Sequence, residues 1–351
     1  MGYHPLVYLR ADGNEDIATG HLMRCLSIAR ALRRRKAAAA FIVSDSLSVS
    51  LLTGMFTLQE RTEHAFPILQ LQTDYKNPEQ ELPVMQSILS AHNAAAVLVD
   101  SYFATPHYLS ALRELTQTAY IDDLQAFDPP ADLVINYDLT VDNSFYQKAD
   151  RLLTGISYTP LREQFSACPY HVWDTVKDLF ISTGGTDPFN IAGGLLKRLS
   201  ASPLWKDVTF HVLTGPMHVH RAELLSMAEA DARIVPCEGI SDMASLMSSC
   251  DLAFSAGGTT LYELCAVGVP SVSYTMADNQ IPGVLAFSQA GLIPYVGDIR
   301  NHPDFFGNAI AALEGLMTVP AARREQSSRM KMAIDGAGAD RIAEALTKNA
   351  N

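Results

Sequence analysis

Residues 6–24 read LVYLRADGNEDIATGHLMR, and the fold class can be inferred from this stretch. Residues 6–9 are apolar and predict a buried strand, a polar loop with glycine follows, and residues 21–35 place apolar side chains at helical spacing. Thr19 is a residue type that favours the N-cap position of such a helix. A strand, a short loop and a helix in this order begin a βαβ unit, in which the next strand runs parallel to the first.

The same alternation continues along the chain. Helical patterns such as residues 83–91 separate short apolar runs, and two predicted helices close the chain, at residues 304–317 and 321–348. Apolar strands that alternate with helices imply parallel sheets covered on both faces. The predicted strands after the first are residues 38–43, 66–71, 95–99, 119–121, 133–135, 152–153, 179–182, 208–213, 234–236, 252–254, 272–274 and 293–296.

A loop-like stretch with Gly155, Pro160 and Pro169 interrupts this alternation. We therefore expect an α/β protein with two Rossmann-like, doubly wound domains that face a cleft. Residues 1–160 would carry the Gly-His loop, and residues 161–351 would bind a nucleotide, with the final helix able to pack back on the first domain. In such sheets ligands bind beyond the carboxyl ends of the strands.

Composition limits the possible partners. The chain has 351 residues and a formal net charge of −12, which disfavours nucleic acid and anionic membrane surfaces. Its five cysteines are scattered without a Cys-x-x-Cys pair, which argues against zinc and disulfides and favours a reducing compartment. No apolar run approaches the roughly 18–20 residues of a membrane span, and no signal-peptide pattern is visible. We expect a cytoplasmic monomer or weak homo-oligomer.

Gly20 and His21 stand at the predicted turn from the first strand into the first helix. Gly20 leaves room for close approach of the backbone, and the free amides of a helix start attract an anion. A histidine on the first turn can change its protonation near neutral pH, although a histidine that only caps or packs explains the pattern equally well. The stretch is not the G-x-G-x-x-G fingerprint and no Walker A motif is present, so NAD is not supported.

Two glycine turns follow predicted strands in the second half, at residues 184–188 (Gly-Gly-Thr-Asp-Pro) and 257–260 (Gly-Gly-Thr-Thr). Backbone amides in such turns can surround phosphate oxygens. Glu263 falls one turn into the next helix, where its carboxylate could accept both hydroxyls of a ribose. A tight connection or simple helix capping remains the alternative for both turns.

Polar side chains also follow other predicted strands. Residues 278–280 (Asp-Asn-Gln) favour a ligand-facing position over an ordinary turn. Asp100, with Ser101 and Tyr102, and the pair at residues 122–123 are weaker candidates. Paired acids could bind a metal, but no third ligand is placed by spacing, so sugar contacts or solvated turns are favoured. His218 is expected in an exposed loop.

Taken together, these segments resemble the UDP-2,4-diacetamido-2,4,6-trideoxy-β-L-altropyranose hydrolases of pseudaminic acid biosynthesis. That family is similar to GT-B glycosyltransferases such as the peptidoglycan enzyme that transfers N-acetylglucosamine, and a related branch is associated with spore-coat polysaccharide synthesis. At Ala18 the family usually has glycine, so alanine restricts the loop if a positive φ is needed there. The matching stretches are residues 10–29, 99–102 with 121–124, 158–165, 184–190, 255–270 with 278–280, and 335–341.

The resemblance implies hydrolysis of a UDP-sugar by water, with C–O cleavage and inversion at the anomeric carbon, without metal or cofactor, for a surface glycan such as that of flagellin. His21 would be the general base, and Asn279 would help to place the sugar or the water. The expected UDP-binding residues are Gly20, Gly184, Gly257, Gly258, Thr259, Thr260 and Glu263, and the expected sugar-binding residues are Asp12, Arg24, Tyr102, Asp123 and Gln280.

Two other functions compete with the hydrolase. A true glycosyltransferase would use a sugar or lipid acceptor, and it would often expose an apolar, basic patch that does not stand out here. A non-catalytic nucleotide-sugar-binding protein would keep the UDP-binding glycines but lose the Gly-His histidine, which is present as His21.

Overall fold

The computed structural model describes residues 5–348 and divides the chain into two compact units. The first unit runs to Glu163 and includes the segment from Ala337 onward, and the second is Gln164–Gly336. Each unit has one parallel sheet with helices, so the predicted fold class of two Rossmann-like α/β domains is confirmed.

The first unit contains a seven-stranded parallel sheet in the order β3-β2-β1-β4-β5-β6-β7. Successive crossovers run outward in both directions from β1, so the strand order reverses between β1 and β4. The strands are β1 (Leu6–Ala11), β2 (Ala38–Val43), β3 (Ile68–Gln70), β4 (Ala96–Asp100), β5 (Gln117–Ile121), β6 (Leu133–Asn136) and β7 (Arg151–Thr154), and the helices are α1 (Gly20–Arg34), α2 (Ser46–Met55), α3 (Leu58–Thr62), α4 (Leu82–Ala91) and α5 (Pro106–Arg113).

Both faces of this sheet are buried, as the fully apolar strands require. Alternate residues of β1 point to opposite faces. Leu9 belongs to the core that includes Leu22 and Leu26 of α1, whereas Tyr8 belongs to a second core that includes Leu109 of α5. Helix α1 is therefore packed directly on the strand that precedes it, which fixes the position of its first turn.

The second unit repeats the arrangement with a six-stranded parallel sheet in the order β10-β9-β8-β11-β12-β13. Its order reverses between β8 and β11. The strands are β8 (Asp178–Ser182), β9 (Thr209–Leu213), β10 (Ile234–Cys237), β11 (Leu252–Ala256), β12 (Ser271–Thr275) and β13 (Tyr295–Asp298), and the helices are α6 (Ile191–Ala201), α7 (Arg221–Ala230), α8 (Met243–Ser248), α9 (Thr259–Val267), α10 (Ile281–Gln289), α11 (Phe305–Thr318) and α12 (Pro320–Ala333).

The single helix predicted at residues 321–348 is wrong, because the structure has two helices there. Helix α12 ends at Ala333, and α13 (Gly338–Thr347) begins after a break. Gly336 in the break has φ +77°, and a Cβ there would lie 2.4 Å from the carbonyl oxygen of Phe165. Only glycine tolerates both conditions. Helix α13 belongs to the first unit, where Ile342 and Leu346 are fully buried in the core.

Within residues 5–348, no single helix is both long and apolar enough to cross a membrane. The stretches Phe305–Thr318 and Pro320–Thr347, which are bent against each other, reach the length and apolar composition of a membrane span only when they are taken together.

Candidate active site

The reversal of strand order in the first unit brings His21 and Asp100 together. Ala11, the last residue of β1, pairs with Asp100, the last residue of β4. Crossovers leave these two strands in opposite directions, and a crevice for ligands opens beyond such a point. His21 is the second residue of α1, which starts after the loop that follows β1.

His21 Nδ1 lies 2.5 Å from Asp100 Oδ1, and His21 is only 3% exposed. The ring also meets the half-exposed Tyr102 edge-on, with ring centroids 4.4 Å apart. Arg24 Nη2 approaches the same Nδ1 atom at 3.0 Å. Because a deprotonated Nδ1 would direct its lone pair at an ionised carboxylate, we assign the proton to Nδ1 and the lone pair of the neutral ring to Nε2.

Arg24 stands one turn further along α1 and holds Asp100 with two hydrogen bonds. Its Nε donates to Asp100 Oδ2 at 2.5 Å, and its Nη2 donates to Oδ1. Its Nη1 donates to Asp123 Oδ2 and to the Tyr137 hydroxyl, both at 2.6 Å. The structure therefore groups His21, Arg24, Tyr102 and Asp123, four of the residues predicted to act on the sugar or the water.

Asp100 is fully buried, and it is ionised despite that. Burial acts to raise the pKa of Asp100, but the charge and hydrogen bonds of Arg24, together with the hydrogen bond from His21, outweigh it and hold this pKa well below the usual range of a carboxyl. The group is thus a permanent negative charge at neutral pH. It orients the imidazole in the way that a buried carboxylate orients histidine in hydrolytic triads.

Asp12 lies in a different cluster from the other predicted sugar-binding residues. It is 3% exposed, and its carboxylate accepts hydrogen bonds from Arg10 at 2.5 Å and from the backbone N–H of Ser44 at 2.7 Å. Arg10 also donates to the fully buried Glu81. This cluster ties the ends of β1 and β2 together, and a role of Asp12 in sugar binding stays a prediction.

In the second unit, two glycine turns follow the strands at which the order reverses. Gly184 follows β8 with φ +75°, and Gly258 follows β11 with φ +153°. A Cβ on the buried Gly257 would lie 2.5 Å from Cγ2 of Val284, so position 257 has no room for a side chain. Helix α9 begins at Thr259 directly after the second turn, and its glycine N-cap cannot supply a side-chain cap. Such a helix start attracts anions.

In the first of these turns, the side chain of Asp187 caps the helix that follows. Asp187 accepts hydrogen bonds from the backbone N–H groups of Ile191 and Ala192 at 2.8 and 2.9 Å, which is the capping alternative left open by the sequence. The prediction that His218 is exposed is wrong: it is 4% exposed, with Nε2 3.5 Å from Asp187 Oδ2. Burial, partly offset by Asp187, lowers the pKa of His218. A buried, neutral histidine here supports the capping aspartate.

The remaining predicted residues differ in how accessible they are. Asn279 and Thr259 are exposed, Thr260 and Glu263 are half-buried, and a Cβ on Gly20 would meet no heavy atom within 4 Å. Gln280 is half-buried, and its side-chain oxygen accepts a hydrogen bond of 2.9 Å from the backbone N–H of Met276. Gln280 thus already shapes the turn after β12.

Two features of the structure were not predicted from the sequence. Asp100 was named only as a weak candidate, although an aspartate directly after a buried strand is a recognisable signal. The second is an open cavity of about 520 Å³ at the carboxyl ends of β9 and β10, where two separate segments of the chain meet. Its lining residues are Thr214, Pro216, Arg221, Glu238 and Gly239. Across residues 5–348, no group of three or more His, Cys, Asp or Glu side chains is arranged to hold a metal ion.

Two Rossmann-type units, each with ligand-facing loops where its strand order reverses, define the GT-B fold. Among solved structures, the glycotransferase of kitacinnamycin is 15% identical with a TM-score of 0.67, covering 99% of this chain and 100% of that one. MurG of Acinetobacter baumannii is 16% identical with a TM-score of 0.64, covering 98% and 99%. UGT89C1 of Arabidopsis thaliana, complexed with UDP-L-rhamnose, is 11% identical with a TM-score of 0.61, covering 98% and 100%.

In sequence, the chain is similar to the spore coat polysaccharide biosynthesis protein SpsG of Bacillus subtilis (strain 168). The two are 23% identical over 347 residues, which is 96% of each chain. No protein-family model matches the chain.

Proposed function

We propose that the protein is a nucleotide-sugar hydrolase that releases UDP and free 2,4-diacetamido-2,4,6-trideoxy-L-altropyranose from the UDP-sugar, in pseudaminic acid biosynthesis. The observation that carries the proposed hydrolysis is the pair of His21 and Asp100 at the reversal of strand order in the first unit, 2.5 Å apart. The sugar and the pathway are those that the sequence resemblance implies. A histidine held by a buried carboxylate through Nδ1 has Nε2 available as a general base.

The proposed reaction needs one water molecule and no metal. His21 Nε2 takes a proton from water as the water oxygen bonds to the anomeric carbon. The bond from that carbon to the phosphate oxygen breaks, its electron pair leaves on UDP, and the attack from the opposite face inverts the anomeric centre. General-base assistance of this kind contributes about 10²–10⁴-fold in rate.

The second unit would bind the UDP. The backbone N–H of Gly258 and those at the start of α9 can stabilise the charge that develops on the leaving diphosphate. The N–H of Gly257 donates to the carbonyl oxygen of Tyr274 at 2.8 Å, so Gly257 would shape the turn without binding the phosphate itself. Such local devices suit a chain with a net charge of −12, which would repel an anion at long range. The fold is similar to that of UGT89C1, which was solved in complex with UDP-L-rhamnose, and this likeness supports a UDP-sugar as ligand.

A related substrate is the second candidate, because the similar Bacillus subtilis protein is named for spore coat polysaccharide biosynthesis. In that case the same residues would act on another UDP-sugar for a surface polysaccharide. A glycosyltransferase with a sugar or lipid acceptor in place of water would also use this UDP site.

The test is to incubate the purified protein with UDP-2,4-diacetamido-2,4,6-trideoxy-β-L-altropyranose, without metal or acceptor, and to follow UDP release and sugar configuration by NMR. We expect UDP release with an inverted sugar, and loss of about 10²-fold or more in His21→Ala. His107→Ala is the matched control, because His107 is exposed on α5.

The other outcomes of this assay distinguish the candidate functions. Binding without turnover would indicate a transferase that awaits its acceptor. Turnover of a different UDP-sugar in a panel would retain the chemistry and change the substrate. Full activity of His21→Ala would remove the assigned base.

A further inference from the structure

We propose that Arg24 is a positioning residue that holds Asp100 and offsets its negative charge beside His21, and that it does not bind the sugar. This inference rests on the proposed function, since it concerns the same histidine. It replaces the sugar-binding role expected for Arg24 from the sequence.

The first argument is the hydrogen-bond capacity of Arg24. A guanidinium has five N–H donors. Four of them have protein partners, because Nε and Nη2 donate to Asp100 while Nη1 donates to Asp123 and Tyr137. The side chain is only 13% exposed. Little of this group is left to bind a sugar hydroxyl.

The second argument is the contact between Arg24 Nη2 and His21 Nδ1, which is 3.0 Å long. With the proton of the imidazole on Nδ1, both atoms are donors, so the contact is not a hydrogen bond. It places a permanent positive charge beside the ring. That charge disfavours the imidazolium, whereas the ionised Asp100 favours it.

The opposing charges of Arg24 and Asp100 matter because His21 is proposed to act as a general base. A buried carboxylate beside a histidine favours an ion pair with the protonated ring, and a protonated ring cannot take a proton from water. Arg24 shares Asp100 with His21 and weakens that ion pair. Asp100 can therefore orient the ring without keeping it protonated.

The other groups around His21 are consistent with this balance. Tyr102 faces the ring from the loop after β4. Asp123 lies beyond Arg24 and partly compensates its charge. The Cys25 thiol, 3.6 Å from Asp100 Oδ2, stays neutral because burial raises its pKa. The nearest charges on His21 are thus those of Arg24 and Asp100.

The experiment is an NMR titration of the full chain labelled with ¹⁵N-histidine, which reports the tautomer and the titration midpoint of His21 without any substrate. We expect an Nδ1–H tautomer in the native protein. Arg24→Met should raise the midpoint by about 1–2 pH units, because it removes the opposing charge. Arg24→Lys keeps the charge and should move it by less than half as much.

Two further variants serve as a control and as a second test. Arg30→Met is the matched control on the same helix, since Arg30 pairs with Glu60 at 2.7 Å, and it should leave the midpoint unchanged. Asp123→Asn leaves the charge of Arg24 less compensated and should lower the midpoint, which tests the inference even if Arg24→Met does not fold. An Nε2–H tautomer, or an unchanged midpoint in both the Arg24→Met and Asp123→Asn variants, would overturn the inference.

Activity assays then separate this inference from the proposed function. If the UDP-sugar is hydrolysed, Arg24→Met should move the acidic limb of the kcat/KM profile upward with little change in KM. An increased KM with an unchanged acidic limb of the kcat/KM profile would instead support sugar binding by Arg24. If no UDP-sugar is hydrolysed while the midpoints shift as expected, the proposed function fails and the electrostatic balance stands.

Discussion

Ala18 has a backbone conformation that its side chain disfavours. Its φ is +56°, in the left-handed region, and its carbonyl oxygen accepts a hydrogen bond of 3.2 Å from the N–H of Asn14. The loop between β1 and α1 thus needs this turn, and the left-handed region costs a residue with a Cβ roughly 1–2 kcal/mol. The sequence raised this question because Ala18 stands where the similar family has glycine, and only the positive φ in the structure shows that the residue is strained.

We expect Ala18→Gly to raise the free energy of unfolding by about 1 kcal/mol, because glycine removes the strain at an exposed position. Urea denaturation of the full chain would measure it. Ala311→Gly is the control, since Ala311 is exposed in the middle of α11 and the change should cost about 0.5–1 kcal/mol there. Destabilisation by both changes would contradict the strain at Ala18.

Single residues around the first site could be predicted only in part. His21 was recognisable because it follows the first strand in a glycine-bearing loop. Asp12 stands in the same loop, but its partner Ser44 is distant in sequence, as is Glu81, which joins the cluster through Arg10 and Ser44, so this buried cluster could not be anticipated. Tyr137 likewise reaches Arg24 from 113 positions away.

At the scale of elements, the turn between β11 and α9 carries the proposed UDP contact. Gly257 is buried there, and an added Cβ would lie 2.5 Å from Val284 and 3.0 Å from Cβ of Gln280, both at α10 or its start. The turn is therefore packed closely against the start of α10. Its amides keep their orientation only while position 257 has no side chain.

We expect Gly257→Ala to weaken UDP binding by about 10-fold or more, because overpacking of 1–3 kcal/mol would displace the turn. Isothermal titration calorimetry with UDP would measure the dissociation constant. Gly283→Ala in α10 is the matched control, since an added Cβ there meets nothing within 4 Å. Equal UDP affinity in the native protein and in Gly257→Ala would argue against this turn as the phosphate site.

Element types were largely predictable, because apolar strands and amphipathic helices alternate with a clear period. The strand predicted at residues 38–43 has the observed bounds of β2. The break between α12 and α13 was missed, since residues 321–348 are compatible with one helix and only contacts with distant backbone make Gly336 turn. The exposure predicted for His218 was wrong for a related reason, because its side chain is buried beside Asp187, which is 31 positions away.

At the scale of the whole molecule, α13 completes the core of the unit that begins the chain. Ile342 is fully buried among side chains of that core. Arg34 and Arg35 of the α1 region pair with Asp340 and Glu344, but these exposed ion pairs contribute little. Apolar burial therefore holds α13 in place.

We expect Ile342→Ala to destabilise the first unit by about 2–5 kcal/mol and to leave the second unit unaffected. Hydrogen exchange would show this as lost protection of amides in β1 and β4, with protection of β8 and β11 retained. Leu313→Ala, in the core of the second unit, is the reciprocal control and should give the opposite pattern. Equal loss in both units for either variant would mean that the two cores do not unfold separately.

The return of α13 also has a consequence for how the chain is made. The ribosome delivers residues in order, so β1 to β7 emerge first and the whole second unit follows before residues 338–347 appear. During that interval the surface that will receive Ile342 and Leu346 is uncovered. The unit synthesised first is thus completed last, and its uncovered apolar surface makes it prone to aggregation while the rest of the protein is translated.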